Sequence, residues 1–241
     1  MTLDQPVCEE MTVDVPVGGR VLVVSDLLLE DHATRASTSA AGRLAETIEA
    51  WEGPGVLVLA GNVFNLLGTG QVDPSAALAA HPRLAAALSA FARRSERRVV
   101  FLPGSRDGRV AWDAAAAGVV GDSLGAEVAL ACRLDVATGT GTRWVRVEPG
   151  QRLDPRFATA DARDPAETPL GHHLVTEVLP ALGMGPDSRK SGWLTGADRL
   201  TDYDALPRFL VSRLLYRRLP RHLWWALLPL VGVVGAELLL G

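Results

Sequence analysis

Three short apolar runs, each ending in a polar or glycine-bearing break, constrain this chain more than any other feature. Residues 21–24 end in Ser25-Asp26, residues 56–60 in Gly61-Asn62, and residues 98–102 in Pro103-Gly104. Such runs, too short for buried helices and rich in valine and leucine, read as strands buried on both faces. Between them lie helical segments. Residues 41–51 carry Leu44, Ile48 and Trp51 at three-to-four spacing, and residues 74–94 are alanine- and leucine-rich with a break near His81-Pro82. A further helix is expected over 111–117. Strand, helix, strand, helix, strand implies right-handed crossovers and a largely parallel sheet. Its polar strand ends then converge on one edge, where open α/β sheets place their sites.

The pattern changes after residue 126. Residues 127–136 and 143–147, separated by Thr138-Gly-Thr-Gly-Thr142, read as a hairpin whose turn lacks the strand-to-helix context of a phosphate cradle. Residues 154–169 are loop-like, and helices are expected over 170–182 and 205–219. At 241 residues and 48% apolar composition, one α/β domain with an appendage fits best. Two cysteines, Cys8 and Cys132, cannot build a disulfide framework or a cysteine-rich zinc site, and they suit a reducing compartment. A net charge of −4 argues against a general nucleic-acid binder.

That charge is unevenly placed. Residues 206–241 hold five arginines and one acid, Glu237, for a net +4, which leaves −8 on residues 1–205. The arginines stop where the apolar run 223–240 begins, with Trp224 and Trp225 at its near end. As a helix its 18 positions span roughly 27 Å, close to a bilayer core. Pro229 and Glu237 interrupt it, so the alternative is a helix docked on the globular body. Met1 to Arg20 lack the order of a signal peptide. The expected organisation is an N-terminal extension or edge strand (1–19), a globular domain (20–205), and a basic amphipathic segment with a transmembrane helix (206–241). The globular part is then membrane-associated on the cytoplasmic side.

The strand ends, taken in order, resemble the calcineurin-like metallophosphoesterases. That family carries Asp-x-His after its first strand, Gly-Asp-x-x-Asp after the second and Gly-Asn-His-Asp/Glu after the third, with histidines later. The corresponding stretches here are Ser25-Asp26-Leu27-Leu28, Leu59-Ala60-Gly61-Asn62-Val63-Phe64-Asn65, Leu102-Pro103-Gly104-Ser105-Arg106-Asp107 and Val147-Glu148-Pro149-Gly150-Gln151. The chain looks closest to the branch containing the UDP-2,3-diacylglucosamine hydrolases, over roughly residues 20–155. The resemblance implies an αββα sandwich, two mixed sheets flanked by helices, here followed by a C-terminal hydrophobic helix. It also implies an ancestral metal-dependent phosphoester or pyrophosphate hydrolysis.

The ligand positions depart from the family. Asp26 is kept, but Leu28 stands at the first histidine, Asn62 at the bridging aspartate and Asn65 at the second aspartate of that motif. Ser105 replaces the ligand asparagine, Arg106 the histidine expected to assist the leaving group, and Pro149 and Gln151 the late histidines; Asp107 closes the third motif. Leucine and proline offer no donor atom, and a neutral amide bridges two dications poorly. The expectation is a catalytically degenerate, membrane-proximal binding or regulatory module with no metal. A phosphorylated ligand or a protein is its possible partner. Two alternatives stay open. One is an active hydrolase with an altered manganese, zinc or single-magnesium site drawing on Asp26 and Asn62, or on Asp26, Glu30 and Asp31. The other is a structural subdomain of a larger membrane protein.

Arg106 is expected to fill vacated metal space and pair with Asp26 or Asp107, since a guanidinium forks onto carboxylates. His32 is a candidate substitute for the imidazole lost at Leu28. His172 and His173 diverge by about 100° on a helix and so are not expected to share one ion. Ser105 lacks the setting of a nucleophile elbow.

Overall fold

The computed structural model describes residues 7–67, 73–178, 208–209 and 211–212. The chain divides into two compact units, residues 1–178 and 179–241, and the fold described below is that of the first. It is α/β, with a mostly parallel six-stranded sheet flanked by helices. The strands are β1 (Cys8–Val15), β2 (Arg20–Val24), β3 (Gly55–Ala60), β4 (Arg97–Leu102), β5 (Ala126–Thr138) and β6 (Gly141–Val147). Their order is β1-β5-β4-β3-β2, all parallel, with β6 antiparallel to β5. The hairpin expected after residue 126 is present, and Thr138 Oγ1 closes its turn on the Gly141 carbonyl at 2.6 Å.

The runs that led the sequence reading form the middle of this sheet. In β3, Leu57 and Leu59 face a core shared with the helices, while Val56 and Val58 face a second core. Val99 and Phe101 of β4 face the first core, and Val100 and Leu102 the second. Burial on both sides is why neither strand alternates with polar residues. The second core is closed by Val13 and Val15 of β1 and by Ala129, Cys132 and Leu134 of β5. β5 serves both halves. Ala126–Val128 pair with β4, and Ala129 onward pairs with β1.

One expectation needs correcting here. Residues 21–24 form a strand, but β2 lies at an end of the strand order, and Val21 and Val23 are 36% and 46% exposed. A valine run does not reveal whether its strand lies at a sheet's centre or edge; only Leu22 and Val24 pack on the first core.

The helices α1 (Arg35–Glu49), α2 (Pro74–Ala80), α3 (Pro82–Ala92) and α5 (Ala114–Leu124) cover the first core, with α4 (Arg109–Trp112) a single turn. α1 begins six residues before the apolar stripe because Thr34 and Ser37 form a reciprocal capping box. The break at His81-Pro82 separates α2 from α3, and the buried His81 ring bridges Ala77 O and Ser37 Oγ, each at 3.0 Å. The helix expected over 111–117 is split by Asp113, whose carboxylate caps Ala115 and Ala116. Its second part runs on to Gly125, in the left-handed region at φ 65°. Residues 154–169 are loop, and α6 (Leu170–His173) passes into one π-helical turn, Leu174–Val178. Among the described residues no helix is long and apolar enough to cross a membrane. The apolar run 223–240 and most of the helix expected over 205–219 lie outside the described residues.

Candidate functional site

The C-terminal ends of β2, β3 and β4 are knitted together by backbone before any side chain is considered. Asp26 N donates to Gly61 O, Leu28 N to Asn62 O and Leu29 N to Val63 O, while Asn65 N returns to Leu29 O. The approach of the β3 and β4 ends demands glycine. A Cβ on Gly104 would lie 2.5 Å from Asn62 N and 2.8 Å from Gly61 Cα. Three non-glycine residues here take left-handed backbone: Asp26 (φ 57°), Leu28 (φ 49°) and Asn62 (φ 55°). Asp and Asn tolerate that region; for leucine it costs on the order of 1 kcal/mol.

Beneath these loops the Asp107 carboxylate is wholly buried. It accepts four backbone amides: Gly104 N at 2.6 Å, Val63 N at 2.7 Å, Asn62 N at 3.1 Å and Phe64 N at 3.2 Å. Burial outweighs these bonds and pushes its pKa up to about 6. Asp107 is therefore a clip between two loops, not a group presented to a ligand.

Asn62 is the second knot. Its Nδ2 donates to Asp26 Oδ1 at 2.9 Å, and its Oδ1 accepts Arg106 N at 2.9 Å and Ser105 Oγ at 3.3 Å. The orientation of the amide is fixed, because a backbone N–H can only donate and so requires the oxygen. Asp26 Oδ2 accepts Ser25 Oγ at 2.8 Å.

Above this layer lies a cavity of about 480 Å³. Asp26, Asn62, Ser105, Glu148, Gln151 and Asp154 line it, with Val23, Val147 and Phe157 as apolar walls. Gln151 is held by its Nε2 on Pro103 O at 3.0 Å. Four of the nine positions singled out from sequence therefore share one cavity. The other five do not line it. Leu28 is exposed, Pro149 is buried beside Gly61, and Asn65 Nδ2 turns to Glu30 Oε1 at 2.6 Å. Asp107 lies below, and Arg106 is partly buried.

The pairing expected of Arg106 is corrected by this geometry. Both Asp107 oxygens are taken by amides, and among the described residues no hydrogen bond or ion pair joins the Arg106 guanidinium to Asp26, whose partners are Asn62 and Ser25. Burial pulls the Arg106 guanidinium below its ordinary range, and Glu30 is the acid that opposes this. His32 does not replace the imidazole lost at Leu28. It bridges Asp31 at 2.9 Å and Glu30 at 3.3 Å, away from the cavity. His173 bonds Glu177 and Thr168, while His172 lines an adjoining cavity of about 180 Å³ that shares Ser105, Gln151 and Phe157 with the first.

The residues do not fit the metal pair that the resemblance implies. Asn62 turns its NH₂, not its oxygen, toward Asp26, and its oxygen is already occupied. Among the described residues no group of three or more histidine, cysteine or acidic side chains is placed to hold a metal ion. Sequence reasoning missed the walls Val23 and Phe157. Phe157 sits in a proline-rich loop, and nothing in the local sequence marks its ring as pointing to a site.

A scan against protein-family models finds no matching family, and searches of curated proteins and of solved structures find no match.

Proposed function

We propose that this chain is a catalytically silent relative of the calcineurin-like phosphoesterases, an αββα sandwich that serves as a binding module and is tethered to a membrane by residues 206–241. The fold part of this reading is supported by the second apolar core, where β1 and β5 pack on β3 and β4. The tether is supported by the five arginines that precede the run 223–240, with the globular part on the cytoplasmic side.

One observation carries the loss of catalysis. The Asn62 amide donates to Asp26 and accepts from Arg106 N, so hydrogen bonds now hold together the loops that two bridged dications would hold in the family. An amide nitrogen facing Asp26 cannot bridge cations, and two-metal hydrolysis needs the whole ligand shell. What remains is a preformed cavity on rigid strand ends, suited to binding.

The test is metal analysis of the purified protein, with phosphodiesterase and pyrophosphatase assays across manganese, zinc and magnesium. Substoichiometric metal, and turnover no higher than that of Asp26→Ala, is the expected result. Stoichiometric metal with turnover that Asp26→Ala abolishes would overturn the proposal.

A further inference from the structure

If the cavity is a binding site without metals, as proposed above, its lining selects the charge of its ligand. Among the described residues three carboxylates line it, those of Asp26, Glu148 and Asp154, and no lysine, arginine or histidine does. Two of the three are neutralised from outside the cavity. Glu148 pairs with Arg146 at 2.7 Å, and Asp154 pairs with Arg156 at 2.9 Å. Among the described residues Asp26 has only neutral partners, Ser25 Oγ and Asn62 Nδ2. Each of its oxygens accepts one hydrogen bond and keeps a lone pair for another.

In the rest of the lining the side-chain amides of Asn62 and Gln151 each commit one of their two N–H groups to the protein, and neither carries charge. The Asn62 amide is bonded at both ends, and Ser105 Oγ donates to it. The walls are apolar: Val23, Ala60, Val147 and the Phe157 ring. That ring is held in place, since a Cβ on Gly171 would lie 2.1 Å from it and Gly171 N bonds Arg156 O. Phe157 lines the same cavity as Asp26, a carboxylate with no cationic partner among the described residues, so the lining favours a cation by charge and offers it an aromatic ring.

We propose that this cavity binds a small organic ammonium ion, its NH₃⁺ on Asp26 and its aliphatic body against Val23, Val147 and Phe157. A phosphorylated ligand meets the opposite situation, an anion brought against Asp26 with no cation among the described lining residues to offset it.

The experiment compares three probes with one body, n-butylammonium, butyrate and butyl phosphate, titrated into the full chain at pH 7 and followed by protein-observed NMR. Saturable shifts at the cavity with butylammonium alone are expected. Asp26→Asn should weaken that binding at least tenfold, and asparagine tolerates the left-handed backbone there. Phe157→Leu, which keeps apolar bulk but removes the ring, should weaken it severalfold. Three outcomes would overturn the inference: no saturable butylammonium binding, binding unchanged in Asp26→Asn, or tighter binding of butyl phosphate. The metal analysis above separates the two failures. Stoichiometric metal with turnover removes the silent-module reading, whereas a metal-free protein indifferent to butylammonium removes this inference alone.

Discussion

Asn62 Nδ2 and Asp26 Oδ1, 36 positions apart in sequence, meet at 2.9 Å and tie the end of β3 to the end of β2. The neutral amide makes this contact favourable; two carboxylates at the same distance would repel.

Asn62→Asp tests that reading directly. It returns a carboxylate to the family's bridging position, but places it against Asp26 and removes the Nδ2 donor. The variant should lose about 1–3 kcal/mol of stability at pH 7, measured by urea denaturation, and recover part of it as pH falls and one carboxyl is protonated. Added manganese should not restore the loss, because the histidine ligands are still missing.

The four amides on Asp107 make it the most sensitive position of the site. Asp107→Ala leaves the N–H groups of Asn62, Val63, Phe64 and Gly104 without their partner. The expected cost is about 3 kcal/mol or more in a denaturation experiment. Amide exchange at residues 62–64 should accelerate as well.

Asp107 also sets a pH dependence. Its folded pKa, about 6, lies above its ordinary 3.8, so the folded state holds the proton more tightly than the unfolded one. Its contribution is fully present below about pH 4 and is lost as pH rises through about 6, an effect on the order of 3 kcal/mol. Stability measured from pH 4 to pH 7 should carry this falling component, and Asp107→Asn should lack it. A wild-type curve parallel to that of Asp107→Asn would contradict the assignment.

Gly104→Ala should be severe although it adds one methyl group. The new Cβ would lie 2.5 Å from Asn62 N and 2.6 Å from Asn62 Oδ1, which are held by Asp107 and Arg106. The loops must part, at a cost of about 2–4 kcal/mol. Chemical shifts of Asn62 and Arg106 amides should report the loss of their bond.

For residues 206–241, co-sedimentation of the full chain with vesicles checks the proposed tether. Replacing Arg213, Arg217 and Arg218 by glutamine should weaken binding to anionic vesicles by about 1 kcal/mol per arginine at low salt. Uncharged vesicles should be affected less.

Much of the architecture was readable because burial on both faces leaves a continuous apolar run, as in β3 and β4, and because glycine and proline mark where such runs stop. Asp113 and the Thr34–Ser37 capping box show where that reading slips, since a polar residue can cap a helix as readily as it can end one. At the strand ends the residue types were readable as well, for the side chains of a leucine at position 28 and a proline at position 149 offer no donor atom wherever they lie. Which strand is an edge was not readable, because Val21 and Val23 are the same residues whether or not another layer covers them. Nor was the destination of Asp107, Asn62 or Phe157. A carboxylate becomes a buried clip, an amide a cross-brace and a phenyl ring a cavity wall only through segments dozens of positions away, and their approach is set by strand register and by the glycine-to-glycine contact of Gly61 with Gly104.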